Sequence, residues 1–138
     1  MMAMWQARRG AASRRSPALG RGYTAVVAPI NPSFSLMILE VADITILPGR
    51  QAAFDRAILH GLEAVVSRAQ GFRGYKVNKG VESPERYLLM IFWETLEDHT
   101  VGFRQGPLFG EWRSIVGPFF AQPPKVEHFT LLGKSAAG

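Results

Sequence analysis

The spacing of apolar and polar residues along the chain predicts alternating strands and helices. A strand is predicted from Ile38 to Leu47, because this run is β-branched and aliphatic and ends at Pro48-Gly49. An amphipathic helix is predicted from Gln51 to Ala69, where apolar residues recur every three or four positions. Gly71 follows the last of these apolar residues and suits a left-handed helix cap.

Five further elements follow this helix. They are two strands joined as a hairpin, two short helices and a final strand, over residues 72–79, 86–94, 96–104, 108–116 and 126–132. Thr95 and Asp98 are spaced as in an N-terminal capping arrangement. The order strand, helix, strand, strand, helix, strand predicts an α+β fold of the ferredoxin-like βαββαβ type, an antiparallel sheet with helices on one face.

The third strand carries apolar residues on both of its faces. In the run from Tyr87 to Trp93 both alternating sets are apolar, so both faces need cover. Helices on one side hide only one of them. We therefore expect a homodimer in which two sheets pack face to face, the alternative being that the N-terminal segment or the helix ends cover the second face.

Charge divides the chain into two parts. The 138 residues include 16 Lys and Arg against 11 Asp and Glu, a formal net charge of +5. Residues 1–36 hold five Arg and no acid, whereas residues 37–138 hold eleven basic and eleven acidic residues. We expect a flexible basic extension over 1–36 and one folded domain over 37–138. A chain that begins at Met37 should therefore fold and dimerise unchanged.

Three interpretations of the extension stay open: a segment without function, an organellar transit peptide, or a site of attraction to nucleic acid or membrane. The first is favoured, and the expected location is the cytoplasm unless the extension directs the chain to an organelle. No membrane span is expected, since the longest apolar run is far shorter than the roughly 20 residues that a span needs. No nucleic-acid partner is expected, because the domain is electrically balanced and the third strand lacks the glycines and aromatic rings of RNA-binding sheets.

Candidate chemistry is sparse. The chain has no Cys, which removes disulfides, thiolate nucleophiles and Cys-ligated metals. Its three His, at positions 60, 99 and 128, lack the close spacing of a metal motif, so neither a metal nor a cofactor is expected. His60 and His128 are interpreted as packed or surface histidines. His99 closely follows Trp93, and the two could share a pocket, with His99 as a base or hydrogen-bond donor and Trp93 as a stacking wall. The alternative is an exposed histidine beside a core tryptophan.

Aromatic residues are concentrated in the second half of the chain. Short helices bounded by Gly and Pro could leave an apolar cleft between these rings and the sheet, which would suit a flat aromatic ligand. The aromatic residues concerned are Phe92, Trp93, Phe103, Phe109, Trp112, Phe119, Phe120 and Phe129.

The stretch from Glu85 to Trp112 resembles the antibiotic biosynthesis monooxygenase (ABM) family. The residues that carry the resemblance are WETLEDH at 93–99, GFRQGPLF at 102–109 and EW at 111–112, within a similarity that covers about residues 38–132. The resemblance implies a dimeric α+β barrel and a cofactor-independent monooxygenase that acts on a phenolic, quinol or polyketide-like aromatic with dioxygen. It implies catalytic roles for His99 and Trp93, an anion partner in Arg104, and a substrate pocket that includes Phe92, Phe103 and Trp112.

Departures from the family limit what the resemblance implies. Haem-degrading relatives carry an Asn, a Trp and an axial His where this chain has Ala42, Phe103 and Arg113. Haem breakdown by that route is therefore not expected. Some relatives have no established catalysis, so the alternative function is a non-catalytic dimeric protein that binds a small molecule or serves as an accessory.

Overall fold

A computed structural model describes residues 37–137 of the chain. The basic extension predicted for residues 1–36 lies outside the described residues. Within residues 37–137, no helix is both long enough and apolar enough to cross a membrane.

The main elements in this part of the chain follow the predicted order of strand, helix, strand, strand, helix, strand. Their bounds are β1 Ile38–Thr45, α1 Gln51–Ala64, β2 Phe72–Lys79, β3 Arg86–Trp93, α2 Pro107–Val116 and β4 Lys125–Thr130. Short helical segments connect them: two 3-10 turns, Val66–Arg68 and Gly117–Phe119, and a π-helical segment, Asp98–Phe103. The predicted ferredoxin-like fold is confirmed.

The four strands form one sheet in the order β2-β3-β1-β4, and each neighbouring pair is antiparallel. β1 therefore lies inside the sheet, between β3 and β4. Its register places Glu40 opposite Ile91 on one side and opposite His128 on the other. Because directly opposed residues point to the same face, Glu40 and His128 are neighbours on one face of the sheet.

Both helices pack against that inner face of the sheet. Alternate residues of β1 and β3 are buried there, as the period of two along a strand requires. From α1, Phe54, Ile58 and Leu62 are at most 1% exposed. Burying a side chain of this kind stabilises the fold by roughly 1.5–3 kcal/mol. The helices approach closely at Gly61, where an added Cβ atom would lie 2.9 Å from the Cζ3 atom of Trp112. This close approach fixes α2 over the sheet.

The outer face of the sheet also carries apolar residues on β3, as predicted. With those of β1 and β4 they are Leu39, Val41, Leu88, Met90, Phe92 and Phe129, and the charged residues Asp43, Lys76 and Glu127 lie on the same face. Phe129 is 47% exposed, and both helices lie on the opposite side of the sheet. This outer face is the surface for which the sequence predicts a second copy.

The first helix is shorter than predicted. It ends at Ala64 instead of Ala69, because Val65 leaves the helical region with φ −120° and ψ −63°. A 3-10 turn follows and buries Val66 completely, so the apolar spacing continues beyond the end of the α-helix. Gly71 does adopt the left-handed backbone that the sequence predicts, with φ +86°.

The helix predicted at residues 96–104 is largely a π-helix. It begins with the predicted capping pair: the Thr95 N–H donates to Asp98 Oδ2 at 3.2 Å, and the Asp98 N–H donates to Thr95 Oγ1 at 3.1 Å. The Arg104 N–H then donates to the His99 carbonyl oxygen, five residues earlier, at 2.9 Å. Such widened turns occur frequently at functional sites. Here the segment buries His99 and Phe103 against the inner face of the sheet.

Candidate functional site

A cavity of about 410 Å³ lies between the inner face of the sheet and the segments that follow β3. Its floor comes from β1, β3 and β4 and is aliphatic except for Glu40. Its walls include His99 and four aromatic residues, Phe103, Phe109, Trp112 and Phe120. This volume lies in the range usual for sites that bind small organic molecules.

Glu40 is a buried carboxyl group on the floor of the cavity, only 6% exposed. The indole Nε1–H of Trp93 donates to Glu40 Oε1 at 2.9 Å. The Nε2 atom of His99 lies 3.4 Å from Glu40 Oε2. Each carboxylate oxygen therefore has its own neighbour, and Glu40 is one of the residues that border the cavity.

Burial raises the pKa of Glu40 to about 7, because a charged carboxylate is poorly stabilised away from water. The hydrogen bond from Trp93 and the positive charge of Arg104 favour the carboxylate and keep the pKa from rising further. A carboxyl group with a pKa near neutrality can both accept and release a proton at physiological pH.

His99 connects Glu40 to a second histidine. Its ring is 2% exposed, and its Nδ1 atom lies 2.8 Å from Nε2 of His128 on β4. The imidazole stacks on the indole of Trp93, with centroids 5.4 Å apart and an interplanar angle of 22°. Phe103 stacks on it as well, at 6.1 Å. These contacts hold the ring so that its two nitrogens point towards different partners.

Both histidines are held in the neutral form. Burial, with the nearby His128 and Arg104, lowers the pKa of His99 to about 4. Burial and Arg104 also lower the pKa of His128. A neutral imidazole donates through one ring nitrogen and accepts through the other. His99 therefore donates a hydrogen bond to one of its two neighbours, Glu40 or His128, and accepts one from the other.

The mouth of the cavity carries two arginines. Arg104 follows the π-helical segment, and Arg113 lies on α2. Both border the cavity, and each guanidinium carbon lies 5.8 Å from the ring centroid of Phe109. Positive charge is therefore found at the mouth, and the carboxyl group of Glu40 at the floor.

The structure brings together four of the six site residues that the sequence singles out: His99, Phe103, Arg104 and Trp112 all border the cavity. Trp93 does not border it. Its side chain is completely buried behind His99, so it contacts the site through the imidazole and through Glu40.

Phe92 lies away from the cavity. Strand alternation turns it to the outer face of the sheet, opposite Leu39, whereas its neighbour Trp93 points inward. Substrate binding by Phe92 within this cavity is therefore not supported by its position.

Sequence reasoning missed Glu40, and it did not predict that His128 contacts His99, although His128 is a packed, half-buried histidine as expected. Glu40 occupies the same alternating set as Ala42 and Ile44, which are buried on the inner face. A single carboxylate in an otherwise apolar set is a signal that the sequence does contain. His128 carried no such signal, since its pairing with Glu40 depends on the register between β1 and β4.

Within residues 37–137, no group of three His, Cys, Asp or Glu side chains is arranged to hold a metal ion. The geometry of His99 explains why the cluster around it does not form such a group. One ring nitrogen faces Glu40 and the other faces His128, so the three side chains do not converge on one point.

Comparison with known proteins shows the family of the chain. A model of the antibiotic biosynthesis monooxygenase family matches residues 37–114. The chain belongs to this family. It is 36% identical over 93 residues to YczJ, an uncharacterized protein of Bacillus subtilis (strain 168), and the match covers 67% of this chain and 97% of YczJ.

Solved structures of the ABM family share the fold. A crystal structure from Bordetella bronchiseptica, named for the same family, is 41% identical with a TM-score of 0.66, covering 70% of this chain and 97% of that one. SnoaB of Streptomyces nogalater, described as a cofactor-independent oxygenase, has a TM-score of 0.62 at 15% identity, covering 73% of this chain and 98% of its own. The similarity to SnoaB is one of fold alone.

Proposed function

We propose that the protein is a cofactor-independent monooxygenase that oxidises a phenolic, quinol or anthrone-like aromatic molecule with dioxygen. The observation that carries the proposal is an acid–base chain, Glu40–His99–His128, whose first member borders an aromatic cavity. Membership of the ABM family supports a monooxygenase-type reaction. The name of SnoaB shows that this fold supports oxygenation without a cofactor in another protein.

The cavity suits a flat aromatic substrate. Phe103, Phe109 and Trp112 provide rings on its walls, and the floor beneath is largely aliphatic. Rings in such a pocket prefer offset-stacked or edge-to-face contacts, which favour a planar ligand. Water would be largely displaced by such a ligand, which strengthens the electrostatic influence of Glu40 on a bound hydroxyl group.

Glu40 acts as the base in this proposal. Its pKa of about 7 leaves a substantial fraction as carboxylate at neutral pH, while keeping its affinity for protons higher than that of an ordinary glutamate. A substrate hydroxyl group over the cavity floor would transfer its proton to Glu40 and become an electron-rich anion. His99, with a pKa of about 4, is too weak a base for this step and serves as a hydrogen-bonding partner.

His99 and His128 carry the proton away from the cavity. As Glu40 donates its proton to His99 Nε2, the proton on His99 Nδ1 passes to His128 Nε2, across 2.8 Å. His128 then releases a proton to solvent through its other nitrogen, since it is only half-buried. The step is a change of tautomer, so it leaves no lasting charge on the buried ring of His99.

Dioxygen supplies the oxidising power. The deprotonated substrate transfers one electron to dioxygen, and the resulting substrate radical and superoxide combine to form a C–O bond. For an anthrone-like methylene group, the peroxide anion formed at the methylene carbon takes up one proton, which replaces the one that the substrate lost. One oxygen atom then stays as the new carbonyl and the other leaves as water. The methylene carbon provides all four electrons, so no external reductant is needed.

A second copy of the chain completes the proposal. The outer sheet face presents a group of apolar residues that includes Val41, Met90 and Phe129, and burying them against the same face of another copy would remove them from water. The helices and the cavity lie on the opposite face, so each copy would keep its own cavity.

The decisive experiment is oxygen uptake by the purified, metal-free protein over a panel of hydroquinones and anthrones, with His99→Ala measured alongside. Uptake above the buffer rate, with product carrying one atom of labelled dioxygen, is expected. Absence of uptake on every compound would contradict the enzyme proposal. Saturable binding with thermal stabilisation but no product would instead support the alternative of a non-catalytic binding protein.

A further inference from the structure

The two arginines at the cavity mouth have no acidic partner within residues 37–137. Other arginines of this region do: Arg68 pairs with Glu111, and Arg86 pairs with Asp43 through two hydrogen bonds. Arg104 and Arg113 instead contact the ring of Phe109, which places both guanidinium groups around one wall of the cavity. Neither guanidinium group therefore forms an ion pair with a carboxylate within the described residues, although the charge of Arg104 acts on Glu40 from a greater distance.

The positive mouth is a local feature. Residues 37–138 hold equal numbers of basic and acidic residues, so it does not follow from an overall charge. The only acid bordering the cavity in the described part of the chain is Glu40, and it is buried at the floor. The cavity is therefore polarised, with a proton acceptor at one end and two guanidinium groups at the other.

Arg104 links the two ends electrostatically. Its positive charge lowers the proton affinity of Glu40, His99 and His128, so it lies close enough to act on the whole chain. An anion bound to Arg104 would offset that charge. The proton affinity of Glu40 would then rise when a suitable substrate is bound, which strengthens the base at the moment it is needed.

We propose that the substrate carries an anionic group, most simply a carboxylate, at the end of its aromatic skeleton opposite the reacting hydroxyl group, and that Arg104 and Arg113 bind it. Guanidinium groups bind carboxylates through paired, charge-assisted hydrogen bonds. The proposal rests on the proposed function only for the position of the hydroxyl group at Glu40. Recognition of the anion by the two arginines is independent of any turnover.

Calorimetric titration of two matched probes under anaerobic conditions tests this assignment. The probes are 6-hydroxy-2-naphthoate, with a hydroxyl and a carboxylate at opposite ends, and 2-naphthol, which lacks only the carboxylate. The wild-type protein should bind the naphthoate about tenfold or more tightly than the naphthol. Added salt should weaken binding of the naphthoate and leave that of the naphthol nearly unchanged.

Arginine variants locate the effect. Arg104→Gln and Arg113→Gln should each weaken binding of the naphthoate by about tenfold while changing binding of the naphthol little. Arg50→Gln is the matched control, since Arg50 also lies over an aromatic ring, that of Phe119 at 4.7 Å, but does not border the cavity. It should bind both probes like the wild type.

Three results would overturn the proposal: equal affinity for both probes, no binding of the naphthoate, or equal loss of both probes in the arginine variants. None of them bears on oxygen uptake with neutral hydroquinones and anthrones. A protein that oxidises neutral quinols but does not prefer the naphthoate would keep the proposed function and lose this inference. A protein that prefers the naphthoate through its arginines but consumes no oxygen would do the reverse.

Discussion

The Nδ1 atom of His99 and the Nε2 atom of His128 lie 2.8 Å apart, although 29 residues separate them along the chain. One residue comes from the π-helical segment and the other from the edge strand β4. Their contact joins a completely enclosed imidazole to one that is partly open to solvent. If this contact carries protons, the outer residue should matter to turnover although it does not border the cavity.

Replacing His128 tests that role. His128→Ala should lower kcat by about 10- to 100-fold with little change in KM, because proton release slows while substrate contacts remain. Added imidazole should restore part of the rate by occupying the vacated space. His60→Ala, an exposed histidine on α1, is the control and should behave like the wild type. An unchanged kcat in His128→Ala would rule out the relay.

Removing the charge of Glu40 tests the base. Glu40→Gln should lower kcat/KM by about 10²- to 10⁴-fold, since an amide cannot accept the substrate proton. The variant should fold, because the amide oxygen can still accept the hydrogen bond from Trp93. Glu127→Gln, on the outer face of the neighbouring strand, is the matched control and should retain full activity. Wild-type rates in Glu40→Gln would exclude Glu40 as the base.

Trp93 should set the pH at which Glu40 works. Its Nε1–H bond to Glu40 favours the carboxylate, so Trp93→Phe should raise the pKa of Glu40 above its value of about 7. The rising limb of the kcat/KM profile should then move to higher pH. The smaller ring should also reduce stability by about 1–3 kcal/mol, through a lost hydrogen bond and a small void. A profile that does not move would show that Trp93 has no influence on this titration.

The opposite pKa shifts of Glu40 and His99 change the pH dependence of stability in opposite directions. Glu40 in the folded protein retains its proton up to about pH 7, whereas in the unfolded chain it loses the proton near pH 4.5. The contribution of Glu40 to the free energy of unfolding therefore falls as the pH rises between these two values. His99 in the folded protein stays neutral down to about pH 4, whereas in the unfolded chain it takes up a proton near pH 6.5. The contribution of His99 to the free energy of unfolding therefore rises with pH over this range. The two effects largely offset one another in the wild type.

Glu40→Gln should remove that compensation. The free energy of unfolding of the variant should rise more steeply with pH than that of the wild type between about pH 4.5 and 6.5, by up to about 1.4 kcal/mol per pH unit. Urea denaturation across this range measures the difference, with Glu127→Gln as the reference. Parallel pH dependences for Glu40→Gln and the wild type would contradict the assigned shift of Glu40.

A charge on the outer sheet face should prevent the proposed dimer. Met90→Lys places a second ammonium group beside Lys76 on the outer face, where pairing with another copy would bury it among Leu88, Phe92 and Val41. Light scattering should report a monomer, against a dimer for the wild type. Val81→Lys adds the same charge in the exposed turn before β3, where Val81 is 88% exposed, and should leave the dimer intact. A wild-type protein that is monomeric at micromolar concentration would refute the sheet-to-sheet arrangement.

The fold could be predicted from the sequence because its main signals are local. The alternation in β3, the spacing of apolar residues in α1 and the pairing of Thr95 with Asp98 each depend on residues close together in the chain. The end of α1 could not be predicted in this way, since Val66 continues the apolar pattern from within a tighter turn. The spacing of apolar residues thus predicts which residues are buried better than it predicts where an α-helix gives way to a 3-10 turn.

The candidate site was predicted only in part, for a different reason. His99, Phe103 and Arg104 lie within a few residues of one another, so they could be recognised as a group. Glu40 and His128 are brought close to these residues by the register between β1 and β4. This register cannot be predicted from any short stretch of the sequence. The element order indicates that the two strands share a sheet, but the side-by-side placement of these two residues required the structure.

The π-helical segment has a consequence for changes in the length of this part of the chain. A turn that closes between His99 and Arg104 holds one residue more than a regular α-helical turn. Deleting one residue from it, such as Gly102, would place Arg104 four residues after His99, which is the spacing of a regular turn. Phe103 and Arg104 would then keep nearly the same directions around the helix axis. One codon inserted into or removed from this turn therefore changes the width of the turn and leaves the direction of the residues after it almost unchanged.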